Sequence, residues 1–151
     1  STVYSNELAV AAALSEASLE SMLIQINQAV DARGLKIAIQ GQKLIVPPSL
    51  CFEAERILKT QLRVDTANND LNAIKSKGLL PGGSVVNNYL TSTTAWFIKT
   101  NCPYGMTHNV RKAVTFEQDN DFGTSNARFK ATYRDAFGFT DPRGLYGSAG
   151  V

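Results

Sequence analysis

The hydrophobic pattern of the chain changes period along its length, and the changes mark the predicted elements. Leu8, Ala12, Leu19, Met22, Leu23, Ile26 and Val30 recur at helical spacing, with helix-forming alanines at 9 and 11–13 and no proline among them. Asn6 can cap the start and Gly34 can stop the end, so the pattern predicts a helix over about 6–32. Such a helix is roughly 40 Å long at 1.5 Å per residue. That length suits a spine lying across a sheet. Beyond Gly34, Leu35, Ile37 and Ile39 alternate with Lys36 and Ala38 as in a half-buried strand. Gln40-Gly41-Gln42 reads as a turn and Lys43–Val46 as the returning strand. Pro47-Pro48 ends the pairing, because neither residue has an N–H to donate. A second helix starts at Pro48 or Ser49 and carries Leu50, Ala54, Ile57 and Leu58 inward, with Glu55 and Lys59 four apart on its outer side.

From Gln61 to Gly83 the chain is polar and broken by Asn68-Asn69-Asp70 and Pro81-Gly82-Gly83. It reads as a loop-rich excursion with one short amphipathic piece, Leu71–Ile74. Strands are predicted over Ser84–Leu90 and Ala95–Thr100, separated by a turn at Thr91–Thr94. A long β-hairpin follows: Val110, Lys112, Val114 and Phe116 start one arm, and Ala127, Phe129, Ala131 and Tyr133 line one side of the other. Arg128, Lys130, Thr132 and Arg134 lie on the opposite side, and the acidic stretch 117–126 connects the arms. The class is α+β: a long helix, a shorter one, and a largely antiparallel sheet. The two elements with clean one-sided periodicity should pack together, Leu19, Met22, Leu23 and Ile26 against Val114, Phe129 and Tyr133.

Composition narrows the function. The 151 residues are 44% hydrophobic and 19% charged, ordinary values for a globular domain. No apolar run approaches the ~20 residues needed to cross a bilayer as a helix. Fifteen basic and 13 acidic residues give a net charge of +2 and are mixed along the chain. A dedicated duplex binder concentrates its positive charge, so such a role is disfavoured. Cys51 and Cys102 have no reason in the sequence to be paired, and a reduced, cytoplasmic setting suits them. Ser1 stands where a Met would begin a chain, which fits a cleavage product or a trimmed form.

Reactive chemistry is sparse. His108, the sole histidine, lies six residues after Cys102, but Pro103-Tyr104-Gly105 between them is loop chemistry. Zinc needs three or four ligands, more than one His and two dispersed Cys supply. Glu117, Asp119 and Asp121 lack the glycine and closing glutamate of a calcium loop. Pro81–Ser84 lacks the Lys-Ser/Thr of a phosphate loop, and Gly138, Gly144, Gly147 and Gly150 are not in dinucleotide spacing. No catalytic residue, cofactor or metal is therefore expected. Trp96 reads as core. The segment Phe137–Tyr146 is more suggestive, because its large apolar groups among glycines cannot form a core of their own. Phe137, Phe139, Asp141, Arg143 and Tyr146 are the candidate subunit-interface residues.

The order of these phrases carries a resemblance. The striped helix, Gly34, Leu35–Ile39, Leu44-Ile45-Val46-Pro47-Pro48-Ser49-Leu50 with its helix, Asn68–Asn72, Val85–Trp96 and the closing Phe137-Gly138-Phe139…Arg143-Gly144 resemble the C-terminal part of tailed-phage major head proteins. That family has the Hong Kong 97-type shell fold, shared with encapsulins. The resemblance implies a structural subunit, not an enzyme, of an icosahedral phage or prophage head enclosing DNA. It implies hexamers and pentamers of identical chains, scaffolding and portal proteins as further partners, non-specific contact with packaged DNA and none with membrane. The setting it implies is the virion, after assembly in the bacterial host cytoplasm. Residues 1–34 and 110–151 would form a peripheral domain and 35–109 an axial one. Family members carry an arm and an extended loop before the spine helix, so the chain is expected to be a C-terminal portion that folds but assembles poorly, with a mobile tail. No cross-linking Lys and Asn pair of the family can be matched here. An encapsulin-like compartment is the nearest alternative. A small cytoplasmic enzyme or a peptide-binding module using a strand edge are the alternatives of other classes.

Overall fold

The computed structural model describes residues 5–62 and 70–151. Its first helix, α1 (Glu16–Asn27), begins later and ends earlier than the apolar pattern predicts. Ser15 starts it with a capping box. Its hydroxyl accepts the Ser18 N–H, and the Ser18 hydroxyl accepts the Ser15 N–H at 2.9 Å. Asn6 and Ala12, before Ser15, do not join the helix because they have other partners. The carbonyl of Asn6 accepts the Gly147 N–H at 2.9 Å, and both backbone groups of Ala12 bond the Ser148 hydroxyl. Asn6 caps no helix; its side-chain amide donates to the Pro142 carbonyl. Gly34, at φ +82°, serves a turn in which the Asp31 carboxylate accepts the N–H groups of Arg33 and Leu35.

The expected hairpin of 35–39 with 43–46 does not form. Gly41 starts a strand, β1 (Gly41–Val46), in place of making a turn, and its bare Cα lets Leu23 approach; a Cβ there would lie 2.8 Å from Leu23 Cδ2. β1 pairs in parallel with β2 (Ser84–Val86) and antiparallel with β3 (Trp96–Thr100), and β3 pairs antiparallel with β6 (Leu145–Ser148). The sheet order is β2-β1-β3-β6. Since β1 lies between β2 and β3, Thr91–Thr94 belongs to a crossover and is not a hairpin turn.

A parallel pair needs a long connection, and helices supply it here. Pro47-Pro48 leads through a 3₁₀ turn into α2 (Cys51–Lys59), as the proline pair predicts. The following α3 (Ala73–Lys77) is capped by buried Asn72, whose side chain accepts the N–H groups of Ile74 and Lys75 and donates to the Ile57 carbonyl at 2.6 Å. The short piece at 71–74 thus docks through Asn72 and Ile74, while Leu71 stays exposed. The expected breakers Asn68 and Asn69 lie outside the described residues.

One core joins these parts. Leu19, Met22, Leu23 and Ile26 of α1 cluster with Leu44 and Val46 of β1, Trp96 and Ile98 of β3, and Tyr146 of β6. The remaining two strands, β4 (Thr107–Asn120) and β5 (Ala127–Gly138), pair only with each other and make a ribbon longer than the predicted hairpin. The predicted packing of α1 on that hairpin is wrong. Val114, Phe129 and Tyr133 are 58%, 75% and 69% exposed, because the stripe of α1 is already covered by the four-stranded sheet. The fold class is α+β.

With no ribbon residue in the core, replacing 111–134 by a short turn should leave the denaturant midpoint of the body nearly unchanged, since shortening such an excursion alters closure entropy weakly. Loss of the cooperative transition in that variant would mean that the ribbon is part of the fold.

Candidate functional site

The ribbon is two-faced. Pairing of Phe116 with Ala131, Glu117 with Lys130 and Gln118 with Phe129 puts alternate residues on opposite sides. One side carries Glu117 paired to Lys130 at 2.9 Å, Thr115 bonded to Thr132 at 2.8 Å, and Lys112 donating to Thr132 at 2.9 Å. The Lys130 ammonium, helped by Lys112, holds the Glu117 carboxyl below its usual range. The other side carries Phe116, Phe129, Tyr133 and Phe137, between 69% and 82% exposed. A β-bulge where Ala113 and Val114 fall opposite Tyr133 adds Val114 to this side. An amphipathic strand pair normally buries its apolar side. Among the described residues nothing covers it.

At the tip, Asp121 organises the turn that the acidic run suggests. Its backbone and side chain accept from Ser125, Gly123 and Thr124, and Arg128 bonds its carboxylate at 2.6 Å. Phe122 stands fully in solvent beside it. At the base, His108 Nε2 meets Asp135 Oδ2 at 2.9 Å and the His108 ring stacks on Phe137 at 4.4 Å between centroids. The His108 ring therefore engages Asp135 and Phe137 and makes no pair with Cys102. Burial, then the neighbouring Asp141, push the Cys102 thiol up, which disfavours the thiolate. Among the described residues no group of three or more His, Cys, Asp or Glu converges as metal ligands, and none of the helices is long and apolar enough to cross a membrane.

The candidate interface segment divides in two. Phe137 and Phe139 are 78% and 75% exposed. Arg143 and Tyr146 are turned inward, so this part of the segment lies against the rest of its own chain. Tyr146 is buried opposite Ile98 in β6. Arg143 bonds Asp141 at 2.8 Å and the Val30 carbonyl at 2.8 Å, while its own carbonyl accepts the Thr100 hydroxyl at 2.7 Å. Strand pairing and this latch hold the segment because its polar groups find partners within the chain. The charges Asp141 and Arg143 are adjacent enough to be read as a pair, but sequence reading missed the bonds of Arg143 to Val30 and Thr100 and the His108–Asp135 pair, whose members lie far apart in the chain. It could have found the period-four aromatics Phe129, Tyr133 and Phe137, which alternate with smaller residues.

The latch gives a pH expectation. The Arg143 guanidinium holds the Asp141 carboxyl below its ordinary value of 3.8, against an opposing effect of burial. A folded-state value below the unfolded one contributes stability that is whole above 3.8 and is lost as pH falls through the lowered folded value. Acid unfolding should therefore be less steep over that window in Asp141→Asn, which should also be less stable at neutral pH. Identical acid limbs for the two proteins would rule the latch out as a contributor.

The described residues thus form a small mixed sheet sharing a core with α1, and an amphipathic ribbon that pairs with no other strand. Residues 1–148 match the model of the phage capsid protein family, and the chain belongs to that family. Among solved structures it is similar to the virus-like particle from Pyrococcus furiosus, with a TM-score of 0.52 and 14% identity. That likeness covers 94% of this chain and spans 55% of the other, and it concerns the fold. No curated protein matches the chain.

Proposed function

We propose that the chain is part of the structural subunit of an icosahedral phage head shell of Hong Kong 97 type, acting through its surfaces and not as an enzyme. The observation that carries this reading is the exposed apolar side of the ribbon in a chain of the phage capsid family. An uncovered patch of this kind marks a protein interface. A shell subunit has such patches covered by its neighbours, and repeated contacts between identical chains close hexamers and pentamers. Phe137 and Phe139 enter the proposal as contact residues. Asp141, Arg143 and Tyr146 enter as the anchor that fixes where the ribbon leaves the body. The peripheral parts 1–34 and 110–151 and the axial part 35–109 would share the core of α1, β1, β3 and β6 and so move as one body. Contact with packaged DNA would be non-specific, through scattered lysines and arginines.

Electron microscopy of particles recovered from the producing bacterium tests this reading. Closed icosahedral shells containing this chain and nuclease-protected DNA are expected, with scaffolding and portal proteins co-purifying at assembly. Shells that hold protein cargo and no DNA would make it a compartment subunit. Absence of the chain from any closed particle would overturn the shell reading altogether.

A further inference from the structure

The apolar side of the ribbon has an internal size pattern as well as an exposed area. Along β5 the residues on that side are Ala127, Phe129, Ala131, Tyr133, Asp135 and Phe137, large and small in turn. An aromatic ring thus recurs every fourth residue, roughly 13 Å apart at strand rise. Between the rings lie Ala131 and Asp135, whose carboxylate already meets His108, and Ala127 precedes the first ring. A row of knobs and hollows with equal spacing fits a copy of itself run in the opposite direction.

We propose that this side docks on the same side of the ribbon of a second copy, across a two-fold axis beside Thr132. The inference rests on the shell-subunit reading and names the partner of the ribbon within it. With β5 laid antiparallel on its mate, Tyr133 of each copy covers Ala131 of the other and Phe137 covers Ala127. Phe129 meets the Asp135 site. The contact is isologous, so every pairing occurs twice. Its area suffices. Four aromatic rings at 69–82% exposure hold on the order of 600 Å², and Val110 and Val114 on the same side bring the total toward the roughly 800 Å² per partner of a standard interface. The polar side, with Lys112, Glu117, Lys130 and Arg134, stays outward in the pair.

Sedimentation of the 151-residue chain across a concentration series tests the idea. The unaltered chain should form a reversible dimer with Kd at or below about 10 µM, within the range of interfaces of this size. Tyr133→Glu and Tyr133→Lys should each weaken it by roughly 30-fold or more, as expected for a central aromatic anchor. Lys130→Ser on the opposite side should leave it unchanged. Tyr133 lies next to the axis and approaches its own mate, so mixing the Glu and Lys variants should restore a dimer. Circular dichroism should show all variants folded, since Tyr133 is exposed in the single chain. A chain that stays monomeric at hundreds of micromolar overturns the proposal. So does a mixture that restores nothing, which would mean that the ribbon meets a different surface. Closed particles built from Tyr133→Glu subunits would also sink it while leaving the shell reading intact.

Discussion

Trp96→Ala should lower the unfolding free energy by about 3–5 kcal/mol, a large part of the 5–15 kcal/mol that holds an ordinary domain. Trp96 is fully buried in an interior strand, between β1 and β6 and beneath α1. Its indole N–H donates at 3.0 Å to the Ala12 carbonyl, which also accepts the Ser148 hydroxyl. The side chain therefore fills the core and ties down residues before α1, where a helix was expected. Its removal leaves a cavity and frees one donor's partner, but the Ala12 carbonyl keeps Ser148, so the loss is mainly one of packing. Trp96→Phe should recover much of it. Since this is the only tryptophan, variants must be followed in urea by circular dichroism, with an unchanged m-value showing that the same surface unfolds. A loss below about 1 kcal/mol would mean that the core closes over the gap.

How much of this was legible in the sequence depends on the range of the forces involved. The apolar positions of α1 are visible because helix period and burial coincide at Leu19, Met22, Leu23 and Ile26. The length of α1 was not, because the Ser15 cap and the claim of Ser148 on Ala12 compete with helix propensity through partners up to 136 residues apart. Pro47-Pro48 announced the turn into α2, since a missing N–H is a local fact. The pairing of β1 with β2 was hidden, because Gln40-Gly41-Gln42 has turn composition yet Gly41 is there for the close approach of Leu23. The ribbon was found as a hairpin, and the two sides of β5 were assigned correctly, but the bulges that turn Lys112 away from Val110, Val114 and Phe116 were not seen. What failed was the inference that an apolar side must be buried within its own chain. Apolar periodicity can also belong to a surface that its own chain leaves exposed, as here, and alternation alone cannot tell the two uses apart.

The joint from which the ribbon leaves the body should tolerate little added bulk. Gly105, on the segment leading into β4, and Gly144, on the segment leading out of β5, cross with their backbones in contact. A Cβ added at Gly144 would lie 2.5 Å from the Gly105 Cα, and one added at Gly105 would lie 2.6 Å from the Gly144 Cα. Neither has positive φ, so the demand is for space alone. A backbone cannot swing aside as a side-chain tip can. Arg143 beside Gly144 is also fixed to Asp141, Val30 and Thr100. Gly144→Val should therefore cost about 1–3 kcal/mol or more, as overpacking does. Gly144→Ala and Gly105→Ala should each cost somewhat less. Combined, they should cost less than their sum, because segments parted by one methyl already make room for the second. Gly138→Ala is the control: its added Cβ would meet Thr107 Oγ1 only at 3.9 Å, so it should be close to neutral. Urea unfolding of the four variants and the double mutant reads all of this. Gly144→Val within about 0.5 kcal/mol of the unaltered chain would show that the crossing has slack, and that the ribbon's direction is not set there.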